Sequence, residues 1–271
     1  MSAAATLGSG RTLAPFGRRA APVVANDEVG AYRLVTVDDA HGPRDPRPGQ
    51  FYMLATRAGW GAGEDERPHL PRALSFASAE DGRLGFLLEA VGPGTARLAA
   101  AALGEDLWLV GPLGRGFRPT ERPPVLVGGG IGAAPVLTLA AELGAAAPVL
   151  LGFRSAQHAR ARELVAGPCR VATDDGSVGR RGLITELLRE ELGARAGEAE
   201  VLACGPAPML EAVRVLCAEL GARAQLALEA GMACGYGACY GCVVLTRRGL
   251  VRLCVDGPVL AAGELEGVPE W

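Results

Sequence analysis

Four of the seven cysteines of the chain lie close together near its C-terminal end, as Cys234, Cys239, Cys242 and Cys254. The first three follow a C-x4-C-x2-C spacing, which is typical of plant-type 2Fe–2S sites, where a short loop carries three thiolates and a fourth arrives from elsewhere. Zinc sites more often pair their thiols as two C-x2-C knuckles, and here only Cys239 and Cys242 form one. The quartet therefore predicts a 2Fe–2S cluster, with zinc and disulfides as the alternatives, and requires the C-terminal segment to fold around it.

The size and charge of the chain restrict its class. It has 271 residues, 49% of them hydrophobic, and a formal net charge of −3, which is enough for two or more domains with buried cores. The basic residues are scattered, so no nucleic-acid or membrane-binding patch is expected, and no apolar run reaches the roughly 18 residues of a membrane span. Residues 1–20 lack the apolar stretch of a signal peptide and are predicted to be a disordered tail. Free thiols and no export signal favour the cytoplasm.

The pattern of the chain changes twice. Residues 21–119 contain short apolar runs separated by Gly, Pro and Asp, which predicts an antiparallel β-barrel with one short helix at Arg97 to Leu103. Residues 120–222 alternate strand, turn and helix, which predicts a parallel, doubly wound α/β domain. Residues 223–271 are predicted to be a small β-rich module that carries the cysteines.

Two loops of the α/β domain carry the nucleotide signals. The first is the glycine run that follows a buried strand, and the second, Cys204-Gly205-Pro206, also ends a strand and opens a helix. Helix N-termini at the carboxyl edge of a parallel sheet suit a pyrophosphate, although a glycine turn alone is also an ordinary turn. Cys204 is placed to approach a nicotinamide ring, or is simply a small packing residue. The glycine run consists of Gly128, Gly129, Gly130, Ile131 and Gly132.

The barrel carries a second group of candidates. Arg72 to Ser75 precedes a strand, and Gly94-Thr95 precedes the alanine-rich helix. An Arg fork, a hydroxyl and backbone amides together suit a phosphate, while a surface Arg and a local turn are the ordinary alternative. His41, His69 and His158 show no ligand spacing and are assigned no role.

Taken together, these motifs resemble one family from about residue 21 to residue 265. The stretches LVGGGIGAAP, TDDGSVGRRG, ACGPAPM and LEAGMACGYGACYGCVV, followed by CVDGPV, look like the electron-transfer subunit of the two-subunit, NAD-dependent dihydroorotate dehydrogenase, within the ferredoxin-reductase superfamily. The resemblance implies FAD on the barrel, NAD on the α/β domain and the cluster in the C-terminal module. It implies that FAD is contacted by Arg72, Ala73, Leu74, Ser75, Leu87, Leu88, Glu89, Gly94 and Thr95.

Some positions depart from the family pattern. Ala73 stands where the family usually has Pro, and Leu88 and Glu89 replace an aromatic–basic pair, which leaves only backbone contacts to FAD expected at those two positions. Tyr236 and Tyr240 stand in the cluster loop where aliphatic residues are frequent.

The implied activity is a relay that depends on a partner. A partner subunit would oxidise dihydroorotate on FMN, and this chain would pass the electrons through the cluster and FAD to NAD⁺, in an expected heterotetramer of two plus two. Docking is expected at the cluster module beside Tyr236 and Tyr240, because aromatic residues are enriched at interfaces. The alternatives are a flavin and iron–sulfur subunit of a hydrogenase, sulfide-dependent reductase or transhydrogenase, and a zinc-binding interaction module. Arg154 and Ser155 leave NADP open as the nucleotide.

Overall fold

Seven antiparallel strands build the N-terminal part of the molecule. The computed structural model describes residues 17–60, 68–195 and 197–269. Neighbouring strands pair in the order β4-β3-β7-β1-β2-β6-β5, and Tyr52, Phe76 and Phe86 meet edge to face in their common core. A sheet that curls around its own interior in this way confirms the predicted barrel. Its strands are β1 (Arg19–Val29), β2 (Tyr32–Asp38), β3 (Phe51–Thr56), β4 (Arg72–Ser75), β5 (Ser78–Glu80), β6 (Arg83–Leu88) and β7 (Asp106–Leu113).

Two local predictions for this part were wrong. The predicted tail extends to residue 20, yet β1 begins at Arg19, because that side chain pairs with the buried Asp39 and donates to the Gly111 carbonyl. Residues 1–16 of the predicted tail lie outside the described residues. Helix α1 spans Pro93–Ala99, four residues earlier than predicted, because Gly92 acts as N-cap and a proline at the first helical position has no amide to lose.

The second part alternates strands and helices. Five of its six strands carry buried apolar side chains, as expected for a parallel sheet covered on both faces. The elements are β8 (Pro124–Gly129), α2 (Ala133–Leu143), β9 (Val149–Phe153), α3 (Ala156–Ala159), β10 (Cys169–Thr173), β11 (Arg180–Arg181), α4 (Ile184–Gly193), β12 (Glu200–Cys204), α5 (Ala207–Glu219) and β13 (Arg223–Ala227).

The cysteine-bearing module follows β13 and returns to the same sheet. Its elements are β14 (Val243–Thr246), β15 (Gly249–Arg252), α6 (Leu253–Asp256) and β16 (Val259–Ala261). Strand β13 pairs in parallel with β12, and β16 pairs antiparallel with β13. The predicted boundary at residue 223 therefore falls before a strand of the α/β sheet, because β13 completes that sheet before the chain departs to the cysteines.

The order of the α/β sheet determines where its loops meet. The strands run β11-β10-β9-β8-β12-β13-β16, so the chain proceeds in one direction from β8 to β10 and in the other direction from β12 to β13. The order reverses between β8 and β12, where Gly128 lies beside Cys204. Ligands of doubly wound folds bind outside the carboxyl ends of the strands at such a point. The structure thus brings the two sequence-predicted loops together.

In the described part of the chain, no helix is both long enough and apolar enough to cross a bilayer.

Candidate functional site

The four thiols of the C-terminal module come together as two pairs. The Cys239 amide donates to the Cys234 Sγ at 3.5 Å, and the Cys254 amide donates to the Cys242 Sγ at 3.4 Å. Cys242 and Cys254 are buried, whereas Cys239 is exposed. Within residues 17–60, 68–195 and 197–269, no three His, Cys, Asp or Glu side chains converge as ligands of a single ion. Two pairs are instead what a 2Fe–2S rhomb needs, because each of its two irons takes two thiolates.

The backbone of the cluster loop explains its glycines. Gly235 and Gly237 have φ angles of +79° and +90°, and a Cβ at these positions would lie 2.6 Å from Met53 and 2.7 Å from Val255. Glycine alone takes such angles without strain. Tyr240 also has a positive φ of 59°, and Arg252 stacks over its ring at 5.1 Å. The tight loop therefore packs directly against the barrel and helix α6.

Two thiols of the quartet, Cys234 and Cys254, differ strongly in pKa. Burial acts to raise the pKa of Cys234, but backbone amides of Cys239, Tyr236 and Ala238 outweigh it and lower that pKa to about 6. Burial, followed by the hydrogen bond and charge of Cys242, raises the pKa of Cys254 to about 12. Cys254 therefore ionises less readily than Cys234, and a bound iron would favour its thiolate form. This donor set fits a cluster.

The flavin candidates of the barrel converge at one corner. The Arg72 guanidinium lies against Gly94, where a Cβ would come within 2.3 Å of its Nε, and it also lies 5.8 Å from the Trp60 ring centre. Thr95 differs from expectation, because its Oγ1 already accepts hydrogen bonds from the Val91 and Gly92 amides at 3.1 and 3.2 Å. Arg72 and the backbone near Gly94 are thus the groups placed to meet a phosphate there.

Strand β6 turns its neighbouring residues Leu87 and Leu88 to opposite faces. Leu88 is 2% exposed and belongs to the barrel core, so its side chain points away from the cleft, whereas Leu87 lines the cleft. The inward-facing Leu88 side chain agrees with the expectation that only backbone contacts to FAD are available at this position, because successive residues of a strand face opposite sides. Glu89 turns to the α/β domain and pairs with Arg154 at 2.6 Å.

A cavity of about 220 Å³ lies where the barrel, the α/β domain and the segment after β13 meet. Flavin candidates from the barrel and nucleotide candidates from the α/β domain both line this cavity, so they belong to one site. The predicted residues that line it are Ala73, Leu74, Ser75, Leu87, Ile131, Gly132 and Cys204.

The two nucleotide loops press against each other at the floor of this cavity. A Cβ on Gly132 would lie 2.5 Å from the Cys204 carbonyl, so only glycine fits there. Gly130 has a φ of +55° and open space around its Cα, and α2 begins three residues later. Gly128 and Gly129 lie within β8, and Pro206 precedes the first turn of α5. Met209 packs against Gly129 and Gly205, so the open backbone lies at Gly130, just before α2, where it suits a pyrophosphate.

Cys204 and Glu229 are the titratable groups of the cavity among the described residues. Burial, with the negative charge of Glu229 as a smaller cause, raises the pKa of the Cys204 thiol well above its ordinary value, so the thiol stays neutral. Burial also raises the pKa of Glu229, whose side chain keeps solvent contact through the cavity while protein surrounds it elsewhere. Glu229 was missed from the sequence, where its place in the stretch LEAG gave no chemical signal.

The comparisons with known proteins agree with this geometry. The family model described as the iron-sulfur cluster binding domain of dihydroorotate dehydrogenase B matches residues 229–266. Relatives named dihydroorotate dehydrogenase B (NAD(+)), electron transfer subunit, include those of Caldanaerobacter subterraneus subsp. tengcongensis, 35% identical over 82% of this chain and 88% of the relative, and Clostridium acetobutylicum, 34% identical over 88% and 92%. The relative from Bacillus caldolyticus is 37% identical over 81% and 86%.

Solved structures show the same fold. A chain of an NADH-dependent reduced ferredoxin-NADP oxidoreductase superposes with a TM-score of 0.77 at 23% identity, over 93% of this chain and 92% of that one. Phthalate dioxygenase reductase superposes with a TM-score of 0.61 at 14% identity, over 93% and 96%. At these identities the likeness concerns the architecture of barrel, α/β domain and cluster module.

Proposed function

The chain belongs to the family of dihydroorotate dehydrogenase B electron transfer subunits, and from that membership we propose that it carries electrons from the flavin of a catalytic partner, through a 2Fe–2S cluster and FAD, to NAD⁺. The electrons come from the oxidation of dihydroorotate to orotate, a step of pyrimidine biosynthesis. When bound, the cluster exchanges single electrons and FAD exchanges them in pairs with the nicotinamide. The work of the protein is to position these groups and to control their surroundings.

The observation that carries this proposal is the pairing of the four thiols inside the segment matched by the family model. Cys234 with Cys239, and Cys242 with Cys254, would hold one iron each. Amides that already point at these sulfurs would stabilise negative charge on them, a recognised control of cluster potential.

The remaining chemistry would occur in the cavity between the domains. Arg72 and the backbone at Gly94 would hold the FAD phosphates, with Leu74 and Ser75 beside the flavin. Gly130 to Gly132 and the start of α2 would hold the NAD pyrophosphate. Cys204, neutral and buried, would pack beside the nicotinamide and exclude water from it. Among these described residues none acts as an acid or base on a pyrimidine, so that role belongs to the partner.

The assembly and its location follow from the same relay. An FMN-containing catalytic subunit would dock beside the cluster, in an assembly of two copies of each chain. All seven cysteines are unpaired, which suits the reducing cytoplasm, and we place the protein there.

The test is a reconstitution. Isolated protein loaded with FAD and cluster should reduce artificial acceptors with NADH and should fail to oxidise dihydroorotate. Adding an FMN-containing dihydroorotate dehydrogenase subunit should restore NAD⁺ reduction by dihydroorotate. Dihydroorotate oxidation by the isolated chain, or no transfer in the complex with both flavins and the cluster present, would contradict the proposed relay.

A further inference from the structure

The end of strand β9 carries a residue type that normally accepts a 2′-phosphate. In dinucleotide-binding folds, a residue about twenty positions after the glycine loop reads the adenosine ribose, an acid for the 2′-hydroxyl of NAD and an Arg for the 2′-phosphate of NADP. Arg154 and Ser155 follow β9 directly. From the sequence alone, this pair leaves NADP open as the nucleotide.

The barrel reaches across and occupies that Arg. The Arg154 Nη2 donates to the Glu89 Oε1 at 2.6 Å, although the two residues are 65 positions apart. Glu89 is the more covered of the two, with a side chain 26% exposed against 65% for Arg154. A phosphate that took Arg154 would leave this carboxylate without its counter-ion and close to the new anion.

His158 completes the network. Its Nε2 lies 2.8 Å from the Arg154 Nη2 and its Nδ1 lies 2.9 Å from the Ser155 Oγ. The same Nε2 lies 3.3 Å from the Glu89 Oε1, so His158 stands beside both members of the ion pair. The Tyr32 ring of the barrel packs edge-on against His158 at 5.6 Å. Arg154 is therefore held by a barrel carboxylate, and Ser155 by a histidine that packs against the barrel.

The neighbouring turn after β10 adds negative charge. The Asp174 amide donates to the Phe153 carbonyl and the Asp175 amide to the Arg154 carbonyl, so this turn adjoins the end of β9. Hydrogen bonds from the Ser177 hydroxyl and amide hold the pKa of Asp175 below its usual range. Arg181, packed against Gly176, is the cation of this turn. Of the acids near Arg154, Glu89 is thus the one that pairs with its guanidinium, while Asp174 and Asp175 add negative charge to the adjoining turn.

We propose that Glu89 is a specificity-determining residue that excludes a 2′-phosphate by holding Arg154, so that the site selects NAD(H) over NADP(H). The inference rests on the proposed function, since it concerns the same nucleotide site. Selection is made across a domain boundary: the barrel supplies the acid that an NAD-specific α/β domain ordinarily supplies itself.

The test measures binding with non-redox probes, ADP-ribose and its 2′-phosphorylated form, by titration calorimetry on protein that holds FAD and cluster. The readout is the ratio of the two Kd values in wild type, Glu89→Gln, Arg154→Ala and the double variant. Glu89→Gln should shift the ratio toward the 2′-phosphate by about tenfold to a hundredfold, the range of a charged hydrogen bond. Adding Arg154→Ala should abolish that shift.

Two results would overturn the proposal: an unchanged ratio in Glu89→Gln, or a shift that survives in the double variant. Arg154→Ala alone tests it separately, should the glutamine variant fail to fold. Since Arg154 is already engaged, its removal should barely change the ratio, and a large loss of 2′-phosphate affinity would show that it binds phosphate in the wild type and would refute the proposal.

The control is Glu80→Gln, which changes an exposed barrel carboxylate with no ion pair among the described residues. It should leave the ratio unchanged. Failure of ADP-ribose to bind the wild type would contradict the nucleotide site of the proposed function itself, and is thereby distinguished from a failure of the Glu89 assignment.

Discussion

The cluster loop and the nucleotide cleft are built in opposite ways. In the loop, hydrogen bonds join cysteines that are 5 and 12 positions apart. In the cleft, Glu89 meets Arg154 across 65 positions and His158 across 69. Residues that are close along the chain and bind the same group show a recognisable spacing in the sequence. Residues that meet only across two domains show no such spacing. Sequence spacing therefore identifies the thiols, and only the assembled fold reveals what Arg154 touches.

The largest effect should come from removing one thiol of the cluster loop. Cys239→Ser should reduce iron and sulfide content to near zero, because an alkoxide is a poor substitute for thiolate on iron. Flavin content should persist, since the barrel has its own core. Metal and sulfide analysis of purified protein measures both.

The matched control is Cys169→Ser, which alters a half-buried thiol in β10 away from the loop. It should keep its full iron content. Wild-type iron and sulfide in Cys239→Ser would show that this thiol is not a ligand.

The second prediction tests the flavin side of the cleft, where Arg72 lies. Arg72→Ala should weaken flavin retention about tenfold or more, because a hydrogen bond to a charged group contributes about 1.5 to 3 kcal/mol. Flavin content after gel filtration is the measurement, with Arg83→Ala, an exposed arginine of the same barrel, as control. Full flavin retention in the Arg72 variant would remove this residue from the site.

A third prediction asks whether the cluster loop is also the partner surface. Tyr236 and Tyr240 are 66% and 65% exposed. Replacing both with Glu should slow dihydroorotate-to-NAD⁺ transfer in the reconstituted complex, because charges disfavour a desolvated interface core, while NADH-driven dye reduction continues.

Leu103→Glu is the control for that double variant, since Leu103 is 70% exposed on the barrel. Its complex should transfer electrons at the wild-type rate. An unchanged rate in the tyrosine variant would place docking elsewhere.

The smallest effect concerns Glu229, which lines the cleft and is exposed to solvent. Since burial raises the pKa of Glu229, the folded protein binds that proton more tightly than the unfolded chain. The contribution of this carboxyl to the free energy of unfolding is therefore most favourable below about pH 4, near the ordinary glutamate pKa. That contribution is lost as the pH rises through the raised pKa of the folded protein. Glu229→Gln should raise the Tm at pH 8, and this gain should vanish in acid.

Thermal unfolding at several pH values measures this difference. Glu266→Gln, an exposed carboxylate outside the cavity, should show no pH-dependent gain. A Glu229 variant whose Tm falls equally at every pH would mean that the carboxylate makes a stabilising contact instead.

Much of the fold was readable because its signals are periodic. The barrel, the doubly wound sheet and the meeting of the Gly130 and Cys204 loops were all predicted from the residues and are found. The inward-facing Leu88 side chain agrees with the expectation of backbone contacts alone at that position. The start of the first helix was missed because Gly92 and Pro93 outweighed the alanine-rich stretch after them. The contacts of Glu89 with Arg154 and His158 lay beyond reach, because they join two domains.

The return of β16 to the α/β sheet makes the cluster module an insertion between neighbouring strands. Ala227 pairs directly with Val259, so the two ends of the intervening segment stand about 5 Å apart, the spacing of adjacent strands. A short hairpin turn would span that gap. The module is therefore an insertion in topology alone: removing it would not change the order in which the remaining strands are joined, but its buried Val244 and Leu253 share one core with Met53 of the barrel.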